Sequence, residues 1–148
     1  MCLLNPKKIE LNEPVTTYKM FEVERGPFGP IYHSPYRKHN AHSVWSVGET
    51  NEVTEFQGLD DLVLGDGYFT PFRVEYGALH SYADFKSARM TLRWFKLQFP
   101  EYKYVIGECR IPEDCDYVYE GKDGDGYDGY ASQKLTLLNI IEDGEEEG

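Results

Sequence analysis

Residues 77–100 read GALHSYADFKSARMTLRWFKLQFP, and they contain the only complete helical pattern in the chain. Ser81 carries a hydroxyl that can accept a hydrogen bond from a free N–H of a first turn, and Asp84 follows three residues later. Pro100 ends the pattern, because the residue before a proline is pushed out of the helical conformation. Apolar residues recur at steps of three and four, which places them on one face: Phe85, Ala88, Leu92, Phe95 and Phe99. The pattern predicts one main helix over residues 81–99.

The helix needs a surface that covers its apolar face, and the apolar runs on both sides of it predict β-strands. Residues 102–111 alternate, with Val105 and Cys109 on one face and Tyr104 and Ile106 on the other. Further strands are predicted at residues 15–23, 31–33, 44–47, 68–76, 116–119 and 135–141, and residues 1–14 are predicted to be irregular. The expected fold class is therefore α+β: a twisted, mainly antiparallel sheet of about five or six strands packed on the main helix.

The length of 148 residues suits a single domain, which we expect to span residues 1–141. The formal net charge of −11 comes from two segments. Residues 142–148 contribute −5 and predict a disordered acidic tail, and residues 113–128 contribute −6. The remainder is neutral overall and shows no basic patch, so we expect no nucleic-acid partner.

The cysteine pattern and the hydropathy of the chain bear on its location. Cys2, Cys109 and Cys115 form no dense disulfide framework, which predicts a reducing compartment. No apolar run approaches the roughly 18 residues of a membrane span, so no membrane partner is expected. The first residues do not resemble a signal peptide. These features predict a cytoplasmic location and leave the oligomeric state open.

No motif for catalysis or metal binding is complete in the sequence. His33, His39 and His42 have a spacing that matches no tight metal-ligand motif. Residues 123–129, DGDGYDG, look like part of a calcium loop, but the ligand and glycine positions that should follow are filled by Tyr127 and Asp128. No phosphate-binding glycine loop or serine-hydrolase elbow is present. We therefore predict no metal and no cofactor, and no catalytic residue can be named.

His80 has two interpretations, because it lies just before the predicted N-cap Ser81 at a strand-to-helix turn. A helix N-terminus presents unpaired N–H groups and favours an anion such as a phosphate. The first interpretation is therefore a binding position for a nucleotide-like ligand. The second is a histidine packed at the turn with a backbone partner and no further role.

Four segments occur in an order that resembles a group of small proteins. They are Tyr18-Lys19, then Gly77-x-x-His80 leading to Phe85, then VIGECRIP at residues 105–112, then Tyr130-Ala131-Ser132-x-Lys134-Leu135. This order resembles uncharacterised proteins of bacteriophages and gut bacteria that begin Met-Cys, over about residues 15–141. The resemblance implies a phage-encoded protein without implying an activity.

The same order also resembles small ADP-ribosyltransferase-type domains, such as the rifampicin-modifying enzymes. That resemblance implies a ligand, NAD or another nucleotide, held by the first strand, the entry to the helix and a late segment. The corresponding residues are Tyr18 and Lys19, then His80, Ser81 and Tyr82, then Tyr130, Ser132 and Gln133. The first-strand histidine or arginine of those enzymes is replaced here, and no catalytic glutamate is placed.

We expect a small cytoplasmic accessory protein that binds a host protein or a nucleotide-like ligand without catalysis. The missing catalytic constellation, the segregated acids and the 12 tyrosines favour this function. One alternative is an ADP-ribosyltransferase-like enzyme that acts on NAD, with Tyr18, His80 and Tyr130 around the ligand. A second alternative is a virion or structural component.

Overall fold

The computed structural model describes residues 3–33, 44–52 and 79–141. These residues form one helix, α1 (Phe85–Gln98), and ten strands: β1 (Leu4–Ile9), β2 (Val15–Gly26), β3 (Gly29–His33), β4 (Val44–Trp45), β5 (Thr50–Glu52), β6 (Leu79–Tyr82), β7 (Lys103–Ile111), β8 (Val118–Lys122), β9 (Asp128–Ser132) and β10 (Lys134–Ile141). The predicted strand at residues 68–76, the histidines His39 and His42, and the tail at residues 142–148 lie outside the described residues.

The α+β class predicted from the sequence is wrong. The described residues form mostly one antiparallel sheet of ten strands with a single short helix, rather than a main helix on five or six strands. Four unpredicted strands, β1, β5, β6 and β9, explain much of the difference. Strand β6 is buried along its whole length, so it shows no alternation. Strand β1 contains Pro6 and two lysines, which are rare in strands, and β9 is rich in glycine and polar residues.

Strand β2 pairs with three other strands, β3, β6 and β7. The order of the sheet is β1-β8-β9-β6-β2-β7-β10-β5, and β3 pairs with both β2 and β4. Residues 15–23 of β2 pair with β7 along one edge. On the other edge, Tyr18 pairs with Tyr82 of β6, and residues 22–26 pair with β3. Because two strands share this second edge, the sheet divides there into two branches.

Apolar side chains cover both faces of the sheet. The inner core lies on one face and contains Phe21, Trp45, Leu79, Val105, Cys109, Ile111, Val118, Leu135 and Leu137. The helix core lies on the other face, beneath α1, and contains Met20, Tyr82, Ala88, Leu92, Phe95, Tyr104 and Ile106. The two faces predicted for residues 102–111 are confirmed, because Val105 and Cys109 enter the inner core whereas Tyr104 and Ile106 enter the helix core.

The sheet curls, so that strands distant in sheet order share the inner core. Strand β9 passes to β10 through one residue, Gln133. Its side-chain oxygen accepts a hydrogen bond from the backbone N–H of Asp116 at 2.6 Å, and its amide nitrogen donates to the Asp116 carboxylate at 3.1 Å. These two hydrogen bonds fix the connection between β9 and β10. Val118 of β8 and Leu135 of β10 both belong to the inner core.

The helix begins at Phe85, later than predicted, and Ser81 lies in β6 instead of capping it. The cap is Asp84, whose carboxylate accepts a hydrogen bond from the backbone N–H of Ser87 at 2.8 Å. A carboxylate at this position satisfies a free N–H and suits the positive end of the helix dipole. The sequence therefore indicated the helix but placed its start one turn too early.

The predicted apolar stripe of the helix is confirmed in its centre and wrong at its end. Ala88, Leu92 and Phe95 are buried, whereas Phe99 is the C-cap residue and is 44% exposed. Among the described residues, no helix has the length and apolar character needed to cross a membrane.

Replacing Asp84 with alanine is expected to lower the free energy of unfolding by about 1 kcal/mol, because the N–H of Ser87 loses its acceptor. Ser81→Ala is the control, since the Ser81 hydroxyl is buried without a hydrogen-bond partner in the described part of the chain. Removing a buried hydroxyl that has no partner should leave the free energy of unfolding unchanged or raise it. Urea unfolding measures both variants, and a larger loss for Ser81→Ala would restore Ser81 as the cap.

Candidate functional site

Three of the eight residues expected to hold a ligand lie on the helix side of the sheet. Tyr18 pairs with Tyr82, and His80, two residues before Tyr82 on the same strand, points to the same face. The Tyr82 hydroxyl donates to the Asp123 carboxylate at 3.2 Å and accepts a hydrogen bond from the Thr91 hydroxyl at 2.9 Å. These contacts tie β6 to the helix and to the β8–β9 turn, which is a structural role.

His80, which was predicted to lie at the entry to the helix, is buried within β6 and pairs with Ala131 of β9. The position at the N-terminus belongs to Asp84, whose negative charge already accepts the N–H of Ser87. A second anion there would meet that carboxylate, and the helix N-terminus is therefore a poor ligand site.

The inner side of the sheet holds Lys19, Ser81, Tyr130 and Ser132. The Ser132 hydroxyl donates to the Lys134 carbonyl at 2.9 Å and is satisfied by that contact. Gln133, the last of the eight residues, makes the two hydrogen bonds to Asp116 that fix the connection between β9 and β10. The three residues expected around NAD, Tyr18, His80 and Tyr130, do not share a face of the sheet. Tyr130 packs against the inner core, whereas Tyr18 packs against the helix core.

Polar residues from five adjacent strands form a row across the inner face, which we call the inner row. Cross-strand pairing places Lys7 opposite Glu120, Glu120 opposite Tyr130 and Tyr130 opposite Ser81. Lys19 completes the row, because Tyr18 pairs with Tyr82 and the next residues of these antiparallel strands, Lys19 and Ser81, lie side by side. Neighbouring strands are about 4.8 Å apart, so Lys19 lies about 10 Å from Tyr130.

The ammonium of Lys19 is enclosed, although the residue keeps some exposed surface. Its Nζ donates to the His80 carbonyl at 2.8 Å and lies 5.7 Å from the centre of the Trp45 ring. No ion pair joins it to a carboxylate within residues 3–33, 44–52 and 79–141. Burial lowers its pKa from 10.5 to about 8, and the nearby Cys109 thiol opposes this only in part.

Two buried hydroxyls accompany this ammonium. Thr17 lies two residues before Lys19 on the same strand and faces the same side, and Ser81 lies beside Lys19 on β6. Neither hydroxyl has a hydrogen-bond partner in the described part of the protein, and both residues are almost completely buried. A buried hydroxyl without a partner costs about 1–3 kcal/mol. The two hydroxyls therefore have hydrogen-bonding capacity that the described residues do not use.

The other end of the inner row opens into a cavity of about 800 Å³. Lys7, Glu120 and Tyr130 line it together with the glycine-rich turn between β8 and β9. Burial, and then the charge of Glu120, raise the pKa of the Tyr130 hydroxyl, so it stays protonated and can donate a hydrogen bond. This end of the row offers both a hydroxyl donor and a carboxylate acceptor.

The described residues contain no group of three or more histidine, cysteine or acidic side chains that could hold a metal ion. His33, one of the histidines considered from the sequence, contacts the Glu24 carboxylate at 2.6 Å. The aspartate of the calcium-like segment, Asp123, uses its carboxylate to accept hydrogen bonds from Tyr82 and from its own turn.

Comparison of the chain with protein-family models, with curated proteins and with solved structures gives no significant match in any of the three. The two resemblances drawn from the sequence therefore stay predictions.

Sequence reasoning missed several residues of the candidate site. Thr17 could have been found, because in the strand predicted at residues 15–23 every second residue lies on the same face, which groups Thr17 with Lys19 and Phe21. Lys7 lies in the segment predicted to be irregular, and Glu120 lies just after the strand predicted at residues 116–119. Trp45 lies in a predicted strand, but nothing in the sequence connects it with Lys19, from which it is 26 residues distant.

Proposed function

We propose that the protein binds a small oxyanion-containing ligand in the curled sheet, with Lys19 as the anchor and without a catalytic step. The observation that carries the proposal is the combination of an enclosed ammonium that lacks a described carboxylate partner with two unpartnered buried hydroxyls. We expect a bound phosphate, sulfate or carboxylate group to accept hydrogen bonds from the ammonium and from the two hydroxyls. It would also compensate for the buried charge.

The rest of the inner row favours a ligand that has hydroxyl groups at some distance from its oxyanion. Tyr130 can donate a hydrogen bond and Glu120 can accept one, about 10 to 14 Å along the sheet from Lys19. Sugar phosphates and nucleotides combine an oxyanion with hydroxyls in this way. Their binding would agree with the nucleotide-like ligand expected from the sequence, although at a different position from the helix N-terminus.

Thermal unfolding with inorganic phosphate, pyrophosphate, ribose 5-phosphate and ADP tests the proposal. At about one hundred times its Kd, a ligand adds roughly 2.7 kcal/mol to the free energy of unfolding. Lys19→Met should weaken binding at least about tenfold, because a charged hydrogen bond is lost. The exposed Lys103 provides the control, and Lys103→Met should bind as the parent does. An equal loss of affinity in Lys19→Met and Lys103→Met, or no change in thermal unfolding with any of the four ligands, would contradict the proposal.

Lys19→Met also separates a binding role from a structural one. Methionine fills a similar volume without burying a charge, so the variant should be as stable as the parent protein or more stable. If the role of Lys19 were structural, Lys19→Met would instead unfold at a lower urea concentration than the parent protein. The same samples serve for both measurements.

Anion binding at Lys19 should fall as the pH rises through about 8, because the pKa of the ammonium is lowered to that value. Sulfate is the suitable probe, since its charge is constant in this range. If only the protonated lysine binds, affinity should fall roughly tenfold between pH 7 and pH 9. Titration calorimetry at several pH values measures the effect. A constant affinity up to pH 9 would exclude Lys19 as the anchor.

A further inference from the structure

The outward face of α1 and the segment after it carry most of the exposed large apolar residues of the described chain. The exposed large apolar residues of the described chain are Phe28, Val44, Val47, Met90, Trp94, Leu97, Phe99 and Tyr102. Five of these eight fall within residues 90–102. Trp94 is 52% exposed and Leu97 is 79% exposed. Contiguous exposed apolar surface of this kind marks interaction sites in soluble proteins.

Three of these residues form a line along the helix, which we call the outer stripe: Met90, Trp94 and Leu97. Their spacing of four and then three residues places them on one face. At about 100° per residue, this face is opposite to the buried residues Ala88 and Leu92, which cover the helix core. The outer stripe is therefore a second apolar face that the sheet does not use.

The charges of the helix lie on one side of the outer stripe. Lys86, Arg89, Arg93 and Lys96 occupy that flank by helical geometry, and the helix contains no acidic residue. Thr91 and Gln98 occupy the other flank and are uncharged. Four basic residues in 14 stand out in a chain whose net charge is −11. The surface thus combines an apolar line with a basic flank.

We propose that the outer stripe and its basic flank bind an acidic amphipathic segment of a partner protein. Apolar side chains of such a segment would cover Trp94 and Leu97. Its carboxylates would lie against Lys86 and Arg93, which are the exposed cations of the basic flank. The chain's own tail at residues 142–148 is a poor occupant, because it is acidic but contains no apolar residue. A lipid surface fits less well, since interfacial helices present a broad apolar face rather than a line with charge on one side.

The helix face is separate from the proposed ligand site. The inner row lies on the other side of the sheet, whereas the outer stripe faces away from the sheet altogether. If no ligand binds at Lys19, the proposal for the outer stripe still stands. If no partner binds the outer stripe, the proposal for Lys19 still stands.

A selection from a displayed library of random peptides tests the proposal with the full chain. The parent protein is the bait, and the Leu97→Asp variant removes peptides that bind elsewhere. Leu97 is mostly exposed, so this variant should keep the melting midpoint of the parent. We expect the enriched peptides to carry net negative charge and apolar residues at helical spacing. No enrichment over the variant, or enrichment of basic peptides, would overturn the proposal.

Fluorescence titration of an enriched peptide measures the contribution of each part of the surface. Trp94 reports on the outer stripe, because Trp45 is buried. Trp94→Ala, followed through a label on the peptide, should weaken binding at least about tenfold. Arg93→Glu should weaken it by a similar factor, and Arg93→Lys should restore most of the affinity. Phe28→Ala, which removes an exposed ring outside the surface, should have no effect.

Two other occupants are tested with the same variants. Sedimentation would reveal self-association that Leu97→Asp abolishes, and this result would assign the surface to a second copy of the chain. Vesicles with anionic lipids would show binding that needs Trp94, and this result would assign it to a membrane. Either finding, in the absence of selective peptide binding, overturns the proposal.

Discussion

Replacing Phe21 with alanine is expected to lower the free energy of unfolding by about 3–5 kcal/mol. The side chain is 0% exposed and lies at the centre of the inner core. Its ring centre is 5.7 Å from that of Trp45 and 6.4 Å from that of Tyr32, so it joins β2 to the branch formed by β3 and β4. Alanine would leave a cavity at this junction.

The packing around Gly107 shows that little room exists for the core to relax. A Cβ atom at this position would lie 2.8 Å from the Phe21 ring and 2.6 Å from the Leu137 side chain. The ring therefore fills the space above a residue without a side chain. Because Gly107 cannot expand into a cavity, we expect the cost of Phe21→Ala at the upper end of the range for such substitutions.

Phe28 provides a control of identical chemistry. It lies between β2 and β3 and is 101% exposed. Phe28→Ala should change the free energy of unfolding by less than about 0.5 kcal/mol. Urea unfolding followed by circular dichroism gives both values. Similar effects of the two substitutions would show that the inner core is not organised around Phe21 as described.

Replacing Asp123 with alanine is expected to cost about 2–4 kcal/mol, because one buried carboxylate satisfies three donors. One oxygen accepts the backbone N–H groups of Asp125 and Tyr127 at 2.9 and 3.0 Å. The other oxygen accepts the Tyr82 hydroxyl at 3.2 Å. Loss of the carboxylate would remove the shared acceptor of these three donors and would loosen the contact between the β8–β9 turn and β6.

Asp125 lies in the same turn, is exposed, and serves as the control for Asp123. Asp125→Ala should change stability by less than about 0.5 kcal/mol. The loss of stability in Asp123→Asn should lie between the losses in Asp123→Ala and Asp125→Ala, because the amide oxygen can still accept hydrogen bonds without the charge. Hydrogen exchange of the turn amides would locate the effect. Equal losses for both alanine variants would contradict the role assigned to Asp123.

Periodic segments were predicted well because one physical cause decides them. The strand at residues 15–23, the alternating strand at residues 102–111 and the apolar run at residues 135–141 all became strands. Each packs one or both faces on a core, so its sequence records its burial. The centre of the helix stripe was found for the same reason, because Ala88, Leu92 and Phe95 face the sheet.

The remaining strands depend on partners that a local pattern does not record. Strand β6 is covered on both faces and resembles the approach to a helix, because Ser81 is a plausible cap by composition. Strand β1 is held by pairing with β8, including the oppositely charged pair of Lys7 and Glu120. The ten-stranded sheet therefore could not be counted from the sequence.

The candidate site was indicated by the sequence only in part. Lys19, Ser81 and Tyr130 were named through a resemblance, and the register places them in one row. Tyr18, His80 and Tyr82 were named with them, but a shift of one residue along a strand reverses the face. The position of Trp45 over the Lys19 ammonium depends on pairing between distant segments, which only the structure shows.

The state of the Lys19 ammonium is the most direct measure of the proposed ligand site. In protein labelled with carbon-13 at the lysine Cε atoms, a pH titration by NMR follows each ammonium group. We predict one signal, absent from Lys19→Met, with a pKa of about 8, which moves to a higher pKa when pyrophosphate is added, because a bound anion favours the charged lysine. If this signal keeps its pKa at every pyrophosphate concentration, or if no lysine has a lowered pKa, the inner row is not an oxyanion site.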